Sequence, residues 1–206
     1  NKFLRRAKSL AVRPLVLQSF KDPCVLTWSD ASWASRRDGS SQGGYMVALA
    51  DASALVGDVS PISIISWHSG KLHRTARSSC DAETQAAPLA EEESEYCRLA
   101  IADVLHNECD LRNWQASCSL VPAALIIDCR GVYDALARSE SSCLGLQDKR
   151  SAIEALALKR SMARTKSSLR WCHSAAQLGD FLTKPALRAA APFEQLVQKG
   201  FHWRLL

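Results

Sequence analysis

The chain lacks the devices that staple small or secreted proteins. None of its eight cysteines belongs to a Cys-x-x-Cys pair, which excludes the common structural zinc modules. Cys24, Cys129 and Cys172 lie in apolar runs, where reduced, buried thiols of an intracellular protein are expected. No apolar run approaches the ~20 residues of a membrane span. The opening Asn1-Lys2-Phe3-Leu4-Arg5-Arg6 has no signal-peptide core. There is no internal repeat and no long low-complexity segment. The chain opens on Asn rather than Met, which reads as a fragment or a piece of a larger polyprotein.

What is present is ordinary globular composition. Of 206 residues, 47% are hydrophobic and 23% charged, enough for one sizeable core with extra segments at the ends. The net charge of +5 is mild, and its distribution says more. Positive charge gathers at residues 1–21, in Lys71-Leu72-His73-Arg74-Thr75-Ala76-Arg77 and along 149–170; negative charge gathers along 81–95. The basic stretches suit a polyanion or a solvated face.

Hydrophobic periodicity predicts the order β-β-β-α-β-α-α-β-α. The first strand, Cys24 to Asp30, ends in an acid. A turn-rich stretch over 31–42 leads into a strand over Gly43–Ala50, and a polar loop over 51–60 into a third over Pro61–Trp67, as in two antiparallel hairpins. A long helix capped by Ser78 or Ser79 runs to about His106. Glu83, Ala90, Ser94, Cys97 and Ile101 share its apolar stripe, with Ala86, Ala87 and Leu105 beside it. Asp81, Glu92 and Glu95 are expected to point away, Glu91 and Glu93 to flank the stripe, and Pro88 to kink the helix or weaken one turn. The run from Pro122 to Asp128 reads as a central parallel strand buried on both faces. Helices over roughly 131–138 and 147–164, a strand over Leu169–Cys172 and a last helix containing Gln177, Leu178 and Asp180 follow. Trp28, Trp33, Trp67 and Trp171 lie in or beside strands and read as core.

Four acids stand out: Asp30, Glu83, Asp128 and Asp180. Three end or follow an apolar run, and Glu83 sits on the stripe of the long helix. A carboxylate at the edge of a core is costly unless something positive meets it. A right-handed crossover makes the fourth strand parallel to the first, so Asp30 and Asp128 end side by side if those strands are neighbours. The long helix can then aim Glu83 at them, and the last helix can bring Asp180. Four converging carboxylates repel, and a hard divalent cation is the natural relief.

Five blocks extend this reading: Trp28-Ser29-Asp30-Ala31-Ser32-Trp33-Ala34; Ser41-Gln42-Gly43-Gly44-Tyr45; Ile65-Ser66-Trp67-His68-Ser69-Gly70-Lys71; Ser78-Ser79-Cys80-Asp81-Ala82-Glu83; and Gln177-Leu178-Gly179-Asp180-Phe181-Leu182-Thr183-Lys184-Pro185. In this order, with Asp128 between the last two, the chain resembles the ribonuclease H domain of copia-type LTR retrotransposon Pol polyproteins. The resemblance covers roughly residues 22–190. Residues 1–21 resemble the tail of a preceding reverse transcriptase, and 191–206 form a C-terminal extension in which Phe193, Leu196, Phe201 and Trp203 suggest packing. The chain departs from the family pattern in four places. Cys80-Asp81 stands where Thr-Glu is usual, Thr84 where an aromatic is usual and Gly179 where Ala is usual, and Pro88 lies within the helix.

The resemblance implies an α/β, ribonuclease H-like fold: a five-stranded mixed sheet with strands 1–3 antiparallel, strands 4 and 5 parallel to strand 1, and flanking helices. It implies hydrolysis of the RNA strand of an RNA–DNA hybrid during reverse transcription, with two Mg²⁺ ions that Mn²⁺ can replace. Asp30 would bridge both ions, Glu83 and Asp128 would complete one sphere, and Asp180 would help hold the other. Ser32, Ser41 and Gln42 are candidates for the sugar edge, and Lys71, Arg74 and Arg77 for phosphates. Hybrid recognition would rest on shape and 2′-hydroxyls. His173 is a candidate proton shuttle. The implied partners are the hybrid and the reverse transcriptase domain of the same polyprotein, with no membrane. The implied location is the cytoplasm, in a virus-like particle. Two other readings remain open: a catalytically decayed or structural module of the same fold, and another nuclease of the superfamily such as an integrase or resolvase core.

Overall fold

The computed structural model describes residues 17–138, 146, 148–184 and 191–205. Most of the segment over 1–21 lies outside these. Its described end is irregular and is tied to the sheet where the Gln18 amide donates to Ser63 Oγ at 2.8 Å.

Six strands form one sheet: β1 (Pro23–Ser32), β2 (Gln42–Asp51), β3 (Ser60–Lys71), β4 (Ala123–Ile127), β5 (Ser167–Trp171) and β6 (His202–Trp203), in the order β5-β4-β1-β2-β3-β6. β1, β2 and β3 are antiparallel neighbours, while β4 runs parallel to β1 and β5 parallel to β4. These directions are those expected of the ribonuclease H-like class. The strand count is corrected from five to six, because the C-terminal segment adds β6 against Ser60 and Pro61. The β2–β3 hairpin is also longer than expected and carries β3 out to Lys71.

Side chains alternate across a strand, and both faces of this sheet are covered. Cys24, Leu26 and Trp28 of β1 join Ala124 and Ile126 of β4 in a core with Leu178, Leu196 and Trp203. Val25 and Ala123 face the other way, towards the long helix α1 (Ser79–His106). Leu125 and Ile127 face Ala87 and Ala90 of α1 and Leu158 and Met162 of a second long helix. All of β4 is buried, as its unbroken apolar run implies. The remaining helices are α2 (Trp114–Ser119), α3 (Arg130–Ala137), α4 (Lys149–Thr165), α5 (Asp180–Thr183) and α6 (Ala191–Gln198). The helix α2 was not expected. Phe193 and Leu196 of α6, with Phe201 and Trp203, pack on the first core.

α1 begins where its cap predicts: the Asp81 amide donates to Ser78 Oγ at 3.1 Å. It runs unbroken through Pro88 to His106. Its buried surface is wider than one stripe, because the sheet covers one side and α4 another. Asp81, expected to point away, is buried and accepts from the Arg77 amide, Gln85 Nε2 and Ser151 Oγ. Glu91 and Arg98 are also enclosed, whereas Leu105 is exposed.

The expected last helix is instead three pieces. The His173 side chain caps a 3-10 turn over Ser174–Ala176, Gln177 to Gly179 are non-helical, and α5 begins at Asp180. Trp28 is core, but Trp33 and Trp67 are half exposed, at 50% and 56%. Trp33 lies in the turn just past β1, and Trp67 in the second half of β3. Among the described residues seven cysteines are free thiols, of which Cys24, Cys118 and Cys172 are buried. No helix among the described residues is long and apolar enough to cross a membrane.

Candidate metal centre

Asp30 is placed by register. It lies opposite Gly44 of β2 near the end of β1 and has the parity of Leu26 and Trp28, so it faces the C-terminal layer. A Cβ on Gly44 would stand 2.9 Å from Leu182 Cβ and 3.0 Å from Thr183 Cγ2. The bare backbone there lets α5 settle over the sheet. Asp128 follows the last residue of β4, the parallel neighbour of β1. Its backbone carbonyl accepts from Trp171 Nε1 and its Oδ2 from Ser174 Oγ, both at 2.9 Å. Glu83 arrives from the opposite layer, in the second turn of α1, and its carboxylate accepts from the Ala31 amide. The two layers thus meet at one end of the sheet.

Ligand oxygens of Asp30, Glu83 and Asp128 lie within 4.8 Å of one another. Asp30 is fully enclosed, and Glu83 nearly so. Burial raises the Asp30 carboxyl to about 7, against the pull of Lys184 and Thr183, with Asp180 and Asp128 pushing the same way as burial. Burial, reinforced by Asp30 and Asp128, also holds Glu83 well above the usual carboxylate range. Three crowded carboxylates, two of them with raised proton affinity (Asp30 and Glu83), form a hard-oxygen donor set. Such a set fits Mg²⁺ or Mn²⁺ and would hold one such ion.

Asp180 does not join this trio directly. Lys184 Nζ links it in, 2.6 Å from Asp180 Oδ1 and 3.1 Å from Asp30 Oδ1. The Thr183 hydroxyl donates to Asp30 Oδ2. Burial opposes the Lys184 charge, but Asp30 and Asp180 outweigh it and raise its pKa. Gln177 holds the segment to β1: fully buried, it donates to the Ser29 carbonyl at 2.9 Å and accepts from the Gly179 amide at 3.0 Å. A Cβ at Gly179 would lie 3.1 Å from Asp30 Cβ, so the missing side chain lets this segment approach closely. Ser174, Gln177, Thr183 and Lys184 were missed as site residues. Three of them lie inside the block from Gln177 to Pro185, so the signal was present, but no chemistry distinguished them there.

Behind the trio, the Cys80 and Cys129 thiols hydrogen-bond each other. This contact lowers Cys80 to about 7 and raises Cys129.

The other candidates lie around the centre. Ser32 pairs with Gln42 at the loop end of the β1–β2 hairpin. Ser41 is buried, and its Oγ accepts from the Ala34 amide at 3.0 Å. Gln42 accepts from Arg36 and donates to Ser69 Oγ, which in turn donates to the Leu182 carbonyl, so a hydrogen-bond chain ties the hairpin to α5. Lys71 pairs with Asp38 at 2.9 Å, Arg77 with Asp148 at 3.0 Å and Arg74 with Glu154 at 2.5 Å. His173 is exposed, and its Nδ1 accepts from the Ala175 amide at 3.1 Å, leaving Nε2 outside the cap.

No protein-family model and no curated protein matches the chain. Among solved structures it is similar to the crystal structure of prototype foamy virus protease-reverse transcriptase, at 12% identity and a TM-score of 0.43; the match covers 90% of this chain and 21% of that one.

Proposed function

We propose that this chain is a ribonuclease H domain that hydrolyses the RNA strand of RNA–DNA hybrids, acting within a copia-type retrotransposon polyprotein beside its reverse transcriptase. The observation that carries this reading is the meeting of Asp30, Glu83 and Asp128 from three separate elements within 4.8 Å. Nothing in folding alone favours gathering three carboxylates at a sheet end.

Two divalent ions bound here would supply a water activated at neutral pH and charge stabilisation for the leaving 3′ oxygen. Asp30, Glu83 and Asp128 would hold one ion, with Asp30 shared and Asp180 helping to hold the other. Within the chain, Gln177 and Ser174 fix the segment that carries Asp180, and the Ala31 amide orients Glu83. Asp128 is kept ready by Ser174 Oγ. His173, exposed beside Ser174, is positioned to carry a proton to solvent through Nε2. Ser32 and Gln42, paired at the loop end of the hairpin, would meet the sugar edge. Lys71, Arg74 and Arg77 serve the phosphates by exchanging acidic side-chain partners for backbone oxygens. Exposed ion pairs are worth only ~0–1 kcal/mol, so this exchange is open to Lys71 and Arg77.

One observation favours a second reading, a structural or decayed module of the same fold: every one of those three cations already has an acidic partner. The test is cleavage of a labelled RNA–DNA hybrid in Mg²⁺ or Mn²⁺, beside DNA–DNA and RNA–RNA duplexes of the same sequence. Hybrid-only, metal-dependent cutting that falls more than about 100-fold in Asp30→Asn is the expected result. Hybrid binding without cutting by the folded protein would support the structural module, and cutting of DNA–DNA would refute the ribonuclease assignment.

A further inference from the structure

Lys184 has no part in the cleavage scheme, yet it is the cation seated in the centre. Its Nζ touches Asp30 Oδ1 at 3.1 Å and Asp180 Oδ1 at 2.6 Å. These are the two carboxylates that an ion on the Asp180 side would have to share. The neighbouring Thr183 hydroxyl engages the other Asp30 oxygen. A carboxylate offers roughly four lone-pair sites, so Asp30 keeps acceptor capacity towards Glu83 and Asp128, neither of which bonds Lys184. The trio is therefore open to one ion, while the Asp30–Asp180 edge already holds a cation.

An ammonium and a divalent ion cannot share the same pair of oxygens, because the positive charges would repel at contact distance. Lys184 can leave. Its side chain is 35% exposed while that of Asp30 is 0%, and its flexible four-carbon stem gives the ammonium a route to water.

We propose that Lys184 is the resident cation of the Asp30–Asp180 edge, so that the free protein takes one divalent ion at Asp30, Glu83 and Asp128 and admits a second only when the ammonium withdraws. The inference rests on the metal centre proposed above. It makes the number of bound ions a property of Lys184 rather than of the carboxylates alone. It also makes Lys184 a positioning residue that holds Asp30 and Asp180 in place before metal arrives.

The test is calorimetric titration of Mn²⁺ into the 206-residue protein without nucleic acid, for wild type and Lys184→Met, with electron paramagnetic resonance to detect adjacent, spin-coupled ions. Wild type is expected to fill one site first, with isolated-ion spectra. Lys184→Met is expected to bind the second ion about tenfold or more tightly than wild type, with coupled spectra at concentrations where wild type has none. In chelator the variant should melt lower than wild type, and Mn²⁺ should restore it. A second-ion affinity within about twofold of wild type would overturn the role of Lys184 and leave the centre standing. Failure of both proteins to bind any ion would overturn the metal centre itself, and this inference with it.

Discussion

Glu91 offers a sharp test of the energetics that surround the site. It is 1% exposed on α1, and neither carboxylate oxygen has a hydrogen-bond partner. Burial raises its carboxyl from 4.5 to about 7, and the nearby Ser167 and Arg98 offset only part of this. That rise corresponds to roughly 3 kcal/mol between the charged and neutral forms. The folded protein holds a proton that the unfolded chain releases between about pH 4.5 and 7. The stabilising contribution of the neutral group is complete below pH 4.5 and is lost as pH rises through 7. Glu91→Gln keeps the shape and stays neutral throughout. It should be more stable than wild type at pH 8 by up to about 3 kcal/mol, roughly 6–12 °C in Tm for a chain of this size, and indistinguishable near pH 4.5. An opposing effect exists, since removing one partner of a buried ion pair typically costs ~3–5 kcal/mol. It loses here because the rise to about 7 already includes the attraction of Arg98, whose bonds go to the Val121 and Thr165 carbonyls instead. Thermal unfolding in chelator at pH 4.5 and pH 8 decides. A variant less stable at pH 8, or equally stabilised at both pH values, would refute the reasoning.

Three further outcomes follow from contacts described above. Ser78→Ala removes the cap of the helix that carries Glu83 and should cost about 1 kcal/mol, read by urea denaturation, with weaker Mn²⁺ binding. Gly44→Ala places a methyl against Leu182, Thr183 and the His68 carbonyl, and should cost ~1–3 kcal/mol while loosening Thr183 from Asp30; melting and metal titration would register both. Gln177→Leu leaves the Ser29 carbonyl and the Gly179 amide without their buried partner, a loss of ~1–3 kcal/mol. Hydrogen exchange should then rise over 174–184 more than over β1.

Three of the four acids converge because the rule that placed them was topological. A parallel β4 beside β1 and a right-handed crossover leave Asp30 and Asp128 little choice, and the Ser78 cap sets the phase that turns Glu83 inward. Where one element meets two partners, periodicity fails. A helical wheel for α1 finds the sheet-facing stripe, but α4 covers a second side, and its Ser151 makes a buried acceptor of Asp81. The link from Asp180 to the trio was illegible for another reason. A lysine before a proline reads as surface, and only the three-piece path after His173, bent at Gln177 and pressed close at Gly179, carries its ammonium to Asp30. Trp67 misled because strand membership implies burial only where a layer covers the strand, and Trp33 because it falls in the turn just past β1.

The contact between Lys184 and Asp30 joins positions 154 apart in sequence. The strands β1 to β3, by contrast, are joined by local connections over 33–41 and 52–59. On a chain emerging from the ribosome N-terminus first, the hairpins can pair early, and the three carboxylates can meet once β4 docks. Lys184 emerges 56 residues after Asp128 (184 − 128), a delay of roughly 3–11 s at ordinary synthesis rates. For that interval the acidic pocket exists without its internal ammonium, and protons or dissolved cations are its counter-ions. Closing a loop of such length is also slow and entropically costly, so the centre is completed well after the β1–β3 part of the sheet beneath it.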